Sequence, residues 1–532
     1  MSFWKKTYVI TALCMIAAGL IYLMLPLSKD YESFQKSEEG ITDAPAELSG
    51  EVLYRIEKDW IETSKGRYTM SQEAEWIANG QPIVTGISRF LGENITIFSD
   101  AEGKIVRVET GEDLSLPQRV RVILAENAAK EDYIHAKVAV TCQQAFWSIQ
   151  DGMICAHPPG AEIGTEKLGY RTIFYTAQEG DTLTLISAKG TTAYKGKLEV
   201  TKEDGGYSIV NEVALETYLK GVVPAEMPGS YGEEAAKVQA ICARSFACRQ
   251  WLSNDKFAEW GAQLDDSTRS QVYGGVIQHE ASEKGVDATW GQILTYNDQP
   301  IATHFFSTSC GHTANAGEVW GGTAQPYEQG AIQYTEGDYG PLSEETEFHA
   351  FITDAAVKAF DSHSPWFRWT ILLTQDELQA LVDIYFAAAK QVKVVNGLAM
   401  EEAQIDGIGQ LQDMFVYERS STGMVLSVIL VGSENTVVVE TPMEIRNLLG
   451  GVSVVLANGE SAGSRDLLPS AFFSLEKIKD TEEKLVSVQV CGGGYGHGVG
   501  LSQNGVKGMV DAGYNYKQIL NHYFPNTVLQ NL

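Results

Sequence analysis

Apolar and polar residues alternate over most of this chain, and a period of two predicts short strands with one face in a core. From Gly50 to about Pro117 the runs NITIFS and GKIVRVET are separated by Gly, Asp and Asn, so antiparallel strands joined by turns are expected there. From Val120 to Val213 the pattern continues through RVRVILA, HAKVAVTC, DTLTLISA, KGKLEV and YSIVNEV. The first long helix follows at Glu233–Leu252, where alanine and other apolar residues occupy several faces, as in a buried central helix. Strands return at GQILTY and PIATHFFS, and MVLSVILVG with NTVVVE reads as a hairpin. TQDELQALVDIYFAAAK has the period of an amphipathic helix, and YNYKQILNHYF reads as a short one. Residues 328–365 are rich in acids and have no period, which predicts an exposed insertion. Strands interspersed with helices, without a regular βαβ repeat, predict an α+β fold with mixed strands around the Ala-rich helix.

The N-terminus adds a different kind of segment. After Lys5 and Lys6, the stretch TYVITALCMIAAGLIYLMLPL carries no charge from Thr7 to Leu27. About 20 apolar residues cross a bilayer, and no A-x-A cleavage pattern precedes Lys29. Residues 1–29 are therefore expected to be an uncleaved transmembrane signal anchor, with the lysines on the cytoplasmic side. That predicts a single-pass protein of the cell membrane with the bulk of the chain outside; a cleaved signal peptide gives the same compartment. Residues 30–117 then form an acidic linker and a small β-rich unit, and residues 118–532 the main body. A formal charge of −29 excludes nucleic acid as a partner, because phosphates need a basic face. Of the seven cysteines, Cys14 lies in the apolar stretch. Cys242 and Cys248 point to different faces of one helix and cannot bridge each other, whereas Cys142 and Cys155 flank alternating stretches that allow a strand-to-strand bridge. Buried free thiols are the simpler reading for most.

One stretch moves the argument from fold to chemistry. Val213–Trp251 reads VALETYLKGVVPAEMPGSYGEEAAKVQAICARSFACRQW and places Glu226 between Pro224 and Pro228, just before the Ala-rich helix. Ser230 and Glu233 have capping-box spacing, so a helix start is expected there, behind a loop that the prolines stiffen. A rigidly presented carboxylate suits general acid–base chemistry. The plain alternative is a surface glutamate in an ordinary connection.

Three further segments decide between these readings: DDSTRSQVYGG (Asp265–Gly275), TWGQILTYNDQPIATHFFSTSCGHTANAGEVWGG (Thr289–Gly322) and GGGYGHGVGLSQNGVKGMVDAGYNYKQILNHYFPNT (Gly492–Thr527). With the E-M-P triplet, they resemble the family of stage II sporulation protein D and the amidase enhancer LytB. The resemblance begins near Arg119 and takes in WFRWTILLTQDEL and EIRNLLG on its way to the C-terminus; residues 30–117 lie outside it. It implies a lytic transglycosylase that cuts peptidoglycan glycan strands stripped of stem peptides, in sporulation, alongside a cell-wall amidase. Glu226 matches the acid/base. Such an enzyme needs only one carboxylate, because the 6-hydroxyl of the same N-acetylmuramic acid is the nucleophile, whereas hydrolytic glycosidases use two. The rival reading is a non-catalytic wall-binding module that enhances an N-acetylmuramoyl-L-alanine amidase.

Arg244 matches the arginine of the family's A-A-R-[ST] segment, with Cys242 in its first position. It either binds a sugar carboxylate or acetamide, orients Glu226, or pairs with an internal acid such as Asp265. Lys237 also matches a family position, with a solvated helix face as its plain alternative. In the glycine-rich tail, His497 and Gln503 are the polar groups best placed to meet a sugar. Tyr273, Trp320 and Tyr495 are candidates for stacking on pyranose rings. His304, Cys310 and His312 fall within nine residues and raise a zinc site, with His304 and Cys310 as two ligands. The reaction itself requires no cofactor, so zinc would clamp the loop. Without zinc the same segment reads as a Ser/Thr-rich loop that hydrogen-bonds sugar.

Overall fold

The computed structural model describes residues 44–532 apart from 45, 151, 324 and 398. The alternating runs pair as expected. Gly206–Ala214, buried along most of its length, lies inside a seven-stranded sheet with strands in the order 153–157, 146–150, 171–176, 197–203, 206–214, 119–123 and 264–265. Its last pair, Leu264–Asp265 with Val122–Ile123, is parallel. A four-stranded sheet made of 162–164, 139–142, 183–187 and 190–194 closes over it around Val140, Phe146, Phe174, Leu198 and Ile209.

Two helices lead out of this sheet. Helix α1, Leu215–Glu226, follows directly from strand 206–214, and helix α2, Glu233–Ser253, is the long Ala-rich one. Ala236, Ala240, Ala243 and Ala247 of α2 join the sheet core, while Ala235, Val238, Ile241 and Cys242 pack into a second core. That second core is shared with helix α3 (Gln503–Asp511) and helix α4 (Tyr516–Tyr523). Burial on two sides explains the composition of α2, since a side chain that ends at Cβ lets neighbours approach from every direction.

Further sheets flank this centre. A six-stranded sheet between residues 47 and 110 packs around Leu53, Ile61, Phe90 and Val108, and Trp251 at the end of α2 completes its core. On the C-terminal side two five-stranded sheets enclose Trp369, Leu373, Met414, Leu430 and Val490. The structure is mixed α+β and strand-rich, in agreement with the sequence pattern.

Four expectations need correction. Among the described residues no helix is long and apolar enough to cross a membrane, which overturns the single-pass membrane location read from the N-terminus. The longest described helix, α2, carries Glu233, Glu234, Lys237, Arg244 and Arg249 and is enclosed by protein. Residues 1–29, on which the anchor was placed, lie outside the described residues.

The segment 328–365 is exposed at most positions, but parts of it belong to the core rather than to a free-standing insertion. Its helix Glu345–Thr353 buries Phe348, Phe351 and Ile352, at the i, i+3, i+4 spacing of one apolar face, against Cys310, Leu342 and Phe472. So short a face is outweighed in the sequence by the surrounding acids. Ser230 does not cap α2: Gly232, at φ 91°, precedes the helix and no side chain caps it. Finally, Glu226 is not in a loop but is the last residue of α1. Cys142, Cys242, Cys248, Cys310 and Cys491 are buried free thiols, and Cys155 is an exposed one.

Candidate active site

Glu226 owes its position to helical periodicity. Leu215, Tyr218, Leu219, Val222 and Val223 form the buried stripe of α1, and Glu226 is the next position of that stripe. The helix therefore aims a carboxyl group along its core-facing side, at the point where the core ends. Gly221 makes the close docking of α1 possible, because a Cβ there would stand 2.3 Å from the Gly275 carbonyl oxygen.

Two segments hold the carboxyl. The backbone N–H of Val272 donates to Oε1 at 2.6 Å, and the Gln503 side-chain amide donates to Oε2 at 3.4 Å. Burial raises the carboxyl above its ordinary range, and these two hydrogen bonds only partly oppose it; no neighbouring charge contributes. The unpaired carbonyls at the C-terminal end of α1 favour the neutral acid in the same direction. Glu226 nonetheless keeps part of its surface open. It is a protonation-prone acid with access to a ligand.

The partners of Glu226 are themselves fixed. Gln271 donates to the Ala243 carbonyl at 3.2 Å and Tyr273 donates to Asn211 at 2.8 Å, which pins the loop that presents Val272. Gln503 opens α3, whose N-cap Ser502 accepts from Gly505 N–H at 3.2 Å. Leu501 and Ser502 run parallel to Phe305 and Phe306, and Thr308 bridges to Tyr495. Gly500, at φ 77°, is needed there, since a Cβ would lie 2.2 Å from the His304 carbonyl oxygen. Asn504 donates to the Ser307 carbonyl at 3.0 Å and to Thr308 Oγ1 at 2.9 Å, and accepts from Tyr231 at 2.8 Å. The glycine-rich tail, the STSCGH loop and the E-M-P turn thus meet around one carboxyl group.

A residue that sequence reasoning missed underlies this junction. Asp361, fully buried, accepts from Ser309 N–H and Ser309 Oγ, each at 2.8 Å, and from the Ser502 hydroxyl. It lies within 328–365, where a run of surface acids concealed it. Asn504 was equally missed, although its place next to Gln503 in S-Q-N-G was the available signal.

The remaining sequence candidates separate clearly. Gln503 reaches Glu226, as described. Arg244 is completely buried and makes a two-point ion pair with Glu216, 2.7 Å from Nε and 2.6 Å from Nη2, and it donates to the Gln292 carbonyl at 2.9 Å. It meets no sugar, and its acid is Glu216 rather than Asp265. Lys237 pairs with Glu233 at 2.9 Å and Glu234 at 2.7 Å, and Glu234 accepts from Tyr516 N–H; it fastens α2 to α4. Tyr273 is buried between Tyr194 and Tyr218, so its ring is core rather than a stacking platform.

His497 donates from Nε2 to the Phe305 carbonyl at 2.9 Å and accepts from Val499 N–H at Nδ1. Both ring nitrogens are taken, and burial lowers its pKa to about 3. It is a neutral strut. The zinc reading fails on geometry. His304 lies against Trp320, with ring centroids 4.6 Å apart, whereas Cys310 is buried in a core with Phe351 and Ile352. His312 donates to the Thr313 carbonyl, and among the described residues no three His, Cys, Asp or Glu side chains form a group that could hold a metal.

Comparison with known proteins fits this centre. Residues 203–296, which contain Glu226, Arg244 and Tyr273, match the family model described as stage II sporulation protein. Residues 314–500 match a model described as a domain of unknown function. The chain is 28% identical over 336 residues to stage II sporulation protein D of Bacillus subtilis, covering 60% of this chain and 75% of that protein. It is also 28% identical over 328 residues to the amidase enhancer of the same organism, covering 58% of this chain but only 40% of the enhancer. An uncharacterized protein of Brachyspira hyodysenteriae is 28% identical over 364 residues, 68% of this chain and 77% of that one. The resemblance drawn from the motifs holds.

Proposed function

From a chain that matches the stage II sporulation protein model over residues 203–296 and holds a protonation-prone glutamate there, we propose that this protein is a lytic transglycosylase of peptidoglycan. It cleaves the N-acetylmuramic acid–N-acetylglucosamine bond of strands that have lost their stem peptides. The observation that carries this reading is the environment of Glu226: raised by burial, partly open, and held by the Val272 N–H and the Gln503 amide.

Each feature maps to a step. Protonated Glu226 gives its proton to the glycosidic oxygen as the bond to the anomeric carbon breaks. The resulting carboxylate then takes the proton from the 6-hydroxyl of the same N-acetylmuramic acid, whose oxygen closes on the anomeric carbon and leaves a 1,6-anhydro end. Val272 N–H and the Gln503 amide stabilise the carboxylate between the two proton transfers. A hydrolase would need a second carboxyl group about 5 to 9.5 Å away to activate water or attack the sugar. Strands without stem peptides imply an amidase acting upstream, and a role in sporulation accords with the name of one relative.

A second reading is favoured by the name of another relative, amidase enhancer: a wall-binding module that stimulates an amidase without cutting glycan. Incubating the purified protein with stripped glycan strands, and analysing the ends by mass spectrometry, separates the two. The proposed enzyme yields anhydro ends, and Glu226→Gln lowers the rate by roughly a hundred- to ten-thousandfold. Ordinary reducing ends would refute the mechanism. No product, together with faster amidase turnover on intact wall, would establish the enhancer instead.

A further inference from the structure

A cavity of about 640 Å³ lies beside His497, within the range of small-ligand sites. One wall is the indole of Trp320, half exposed, with Met424 and Met443 also facing the space. At its edge stands Arg446. The Arg446 guanidinium is anchored by one bond only, from Nε to the Leu468 carbonyl at 2.7 Å, and among the described residues no carboxylate pairs with it. The cavity does contain three glutamates: Glu318 is bonded by the Ser421 N–H and hydroxyl, Glu440 pairs with Lys393, and Glu418 also lines the space. An aromatic wall beside an arginine fork without a carboxylate suits a ring that bears a single carboxylate.

The cavity is close to the reaction centre along the chain. His497 lines it and Gln503 touches Glu226, and six residues of chain span at most about 22 Å even when fully extended. The cavity and Glu226 are thus served by neighbouring parts of one chain segment.

We propose that Arg446 and Trp320 form a subsite for an N-acetylmuramic acid ring, in which Arg446 binds the free lactyl carboxylate. This rests on the glycan-cutting reading above and gives it a specificity-determining residue. In a strand that still carries its peptide, that carboxylate is an amide: it has no charge for Arg446 and brings bulk to the cavity. The lining glutamates admit hydroxyl and amide donors and repel a ligand with several negative charges.

Calorimetric titration of the full-length protein tests this without any cleavage. The probes are the N-acetylglucosamine–N-acetylmuramic acid disaccharide and the same disaccharide with its lactyl group converted to an amide. A charge-assisted pair predicts roughly ten- to a hundredfold tighter binding of the free acid. Arg446→Gln should abolish that preference while leaving the amide's affinity unchanged, and Arg446→Lys should retain part of it. Should Arg446→Gln melt at a lower temperature, the Lys variant decides, since it keeps the charge and loses only the fork. Trp320→Ala should weaken both probes alike. Equal affinity of the wild type for the two probes overturns the proposal, as does an undiminished preference in the folded Arg446 variants. A preference in a protein that makes no anhydro ends would sink the enzymatic reading and leave the subsite standing.

Discussion

Glu226 has a raised pKa because burial penalises its charge, and two consequences follow at the scale of the single residue. Proton donation needs the acid form, so kcat/KM should fall as pH rises through the raised value, while the residual rate of Glu226→Gln stays flat. The same shift affects stability. A native state that holds this proton more tightly than the unfolded chain gains most below the ordinary carboxyl range, and that gain is lost as pH rises through the raised value. The melting temperature of Glu226→Gln minus that of wild type should thus grow with pH, and a constant difference would contradict the shift. Arg244 gives the opposite kind of result. Removing it leaves Glu216 buried without a partner, so Arg244→Met should cost about 3 to 5 kcal/mol in denaturant unfolding. The fraction that remains folded should keep its glycan KM, because Arg244 touches no ligand surface.

At the scale of elements, the site is a junction of α1, the loop before Val272, the 305–309 strand and loop, and the start of α3. Its precision depends on backbones that pass too close for side chains. At Gly500 a Cβ would both meet the His304 carbonyl and sit at positive φ. Gly500→Ala should accordingly cost about 1 to 3 kcal/mol and displace Gln503, lowering the rate by more than the loss of folded protein explains. Circular dichroism melts beside rates per folded molecule would check this. Asp361 acts through the same junction, since Ser309 and Ser502 both donate to it. Asp361→Ala strands those donors in the interior and should lower the melting temperature measurably.

At the scale of the whole molecule, the cores interlock through α2, which gives one face to the large sheet and another to α3 and α4. The segment 328–365 is part of this body, because Phe348, Phe351 and Asp361 are buried in it. Limited proteolysis of the native protein should therefore leave the helix 345–353 intact. Early cleavage within it would show that this packing is not maintained in solution.

The sequence by itself determined what local pattern encodes. Period-two runs became paired strands, and an Ala-rich stretch became a helix buried on two sides. These succeed because strand alternation, helical composition and short motifs are properties of neighbours along the chain. Even the burial of Glu226 was present in the spacing 215, 218, 219, 222, 223 and 226, although Pro224 and Pro228 made the stretch around it read as a loop. What only the tertiary structure decided was which side chains meet across long separations. Glu226 and Gln503 are 277 residues apart and Arg244 and Glu216 are 28 apart, and nothing local distinguishes a buried partner from a surface one. For the same reason Tyr273, His304 and Cys310 looked like ligands or platforms, and Asp361 looked like one surface acid among many. Their roles depend on what lies opposite each side chain, which is fixed when the sheets and α2 close around them.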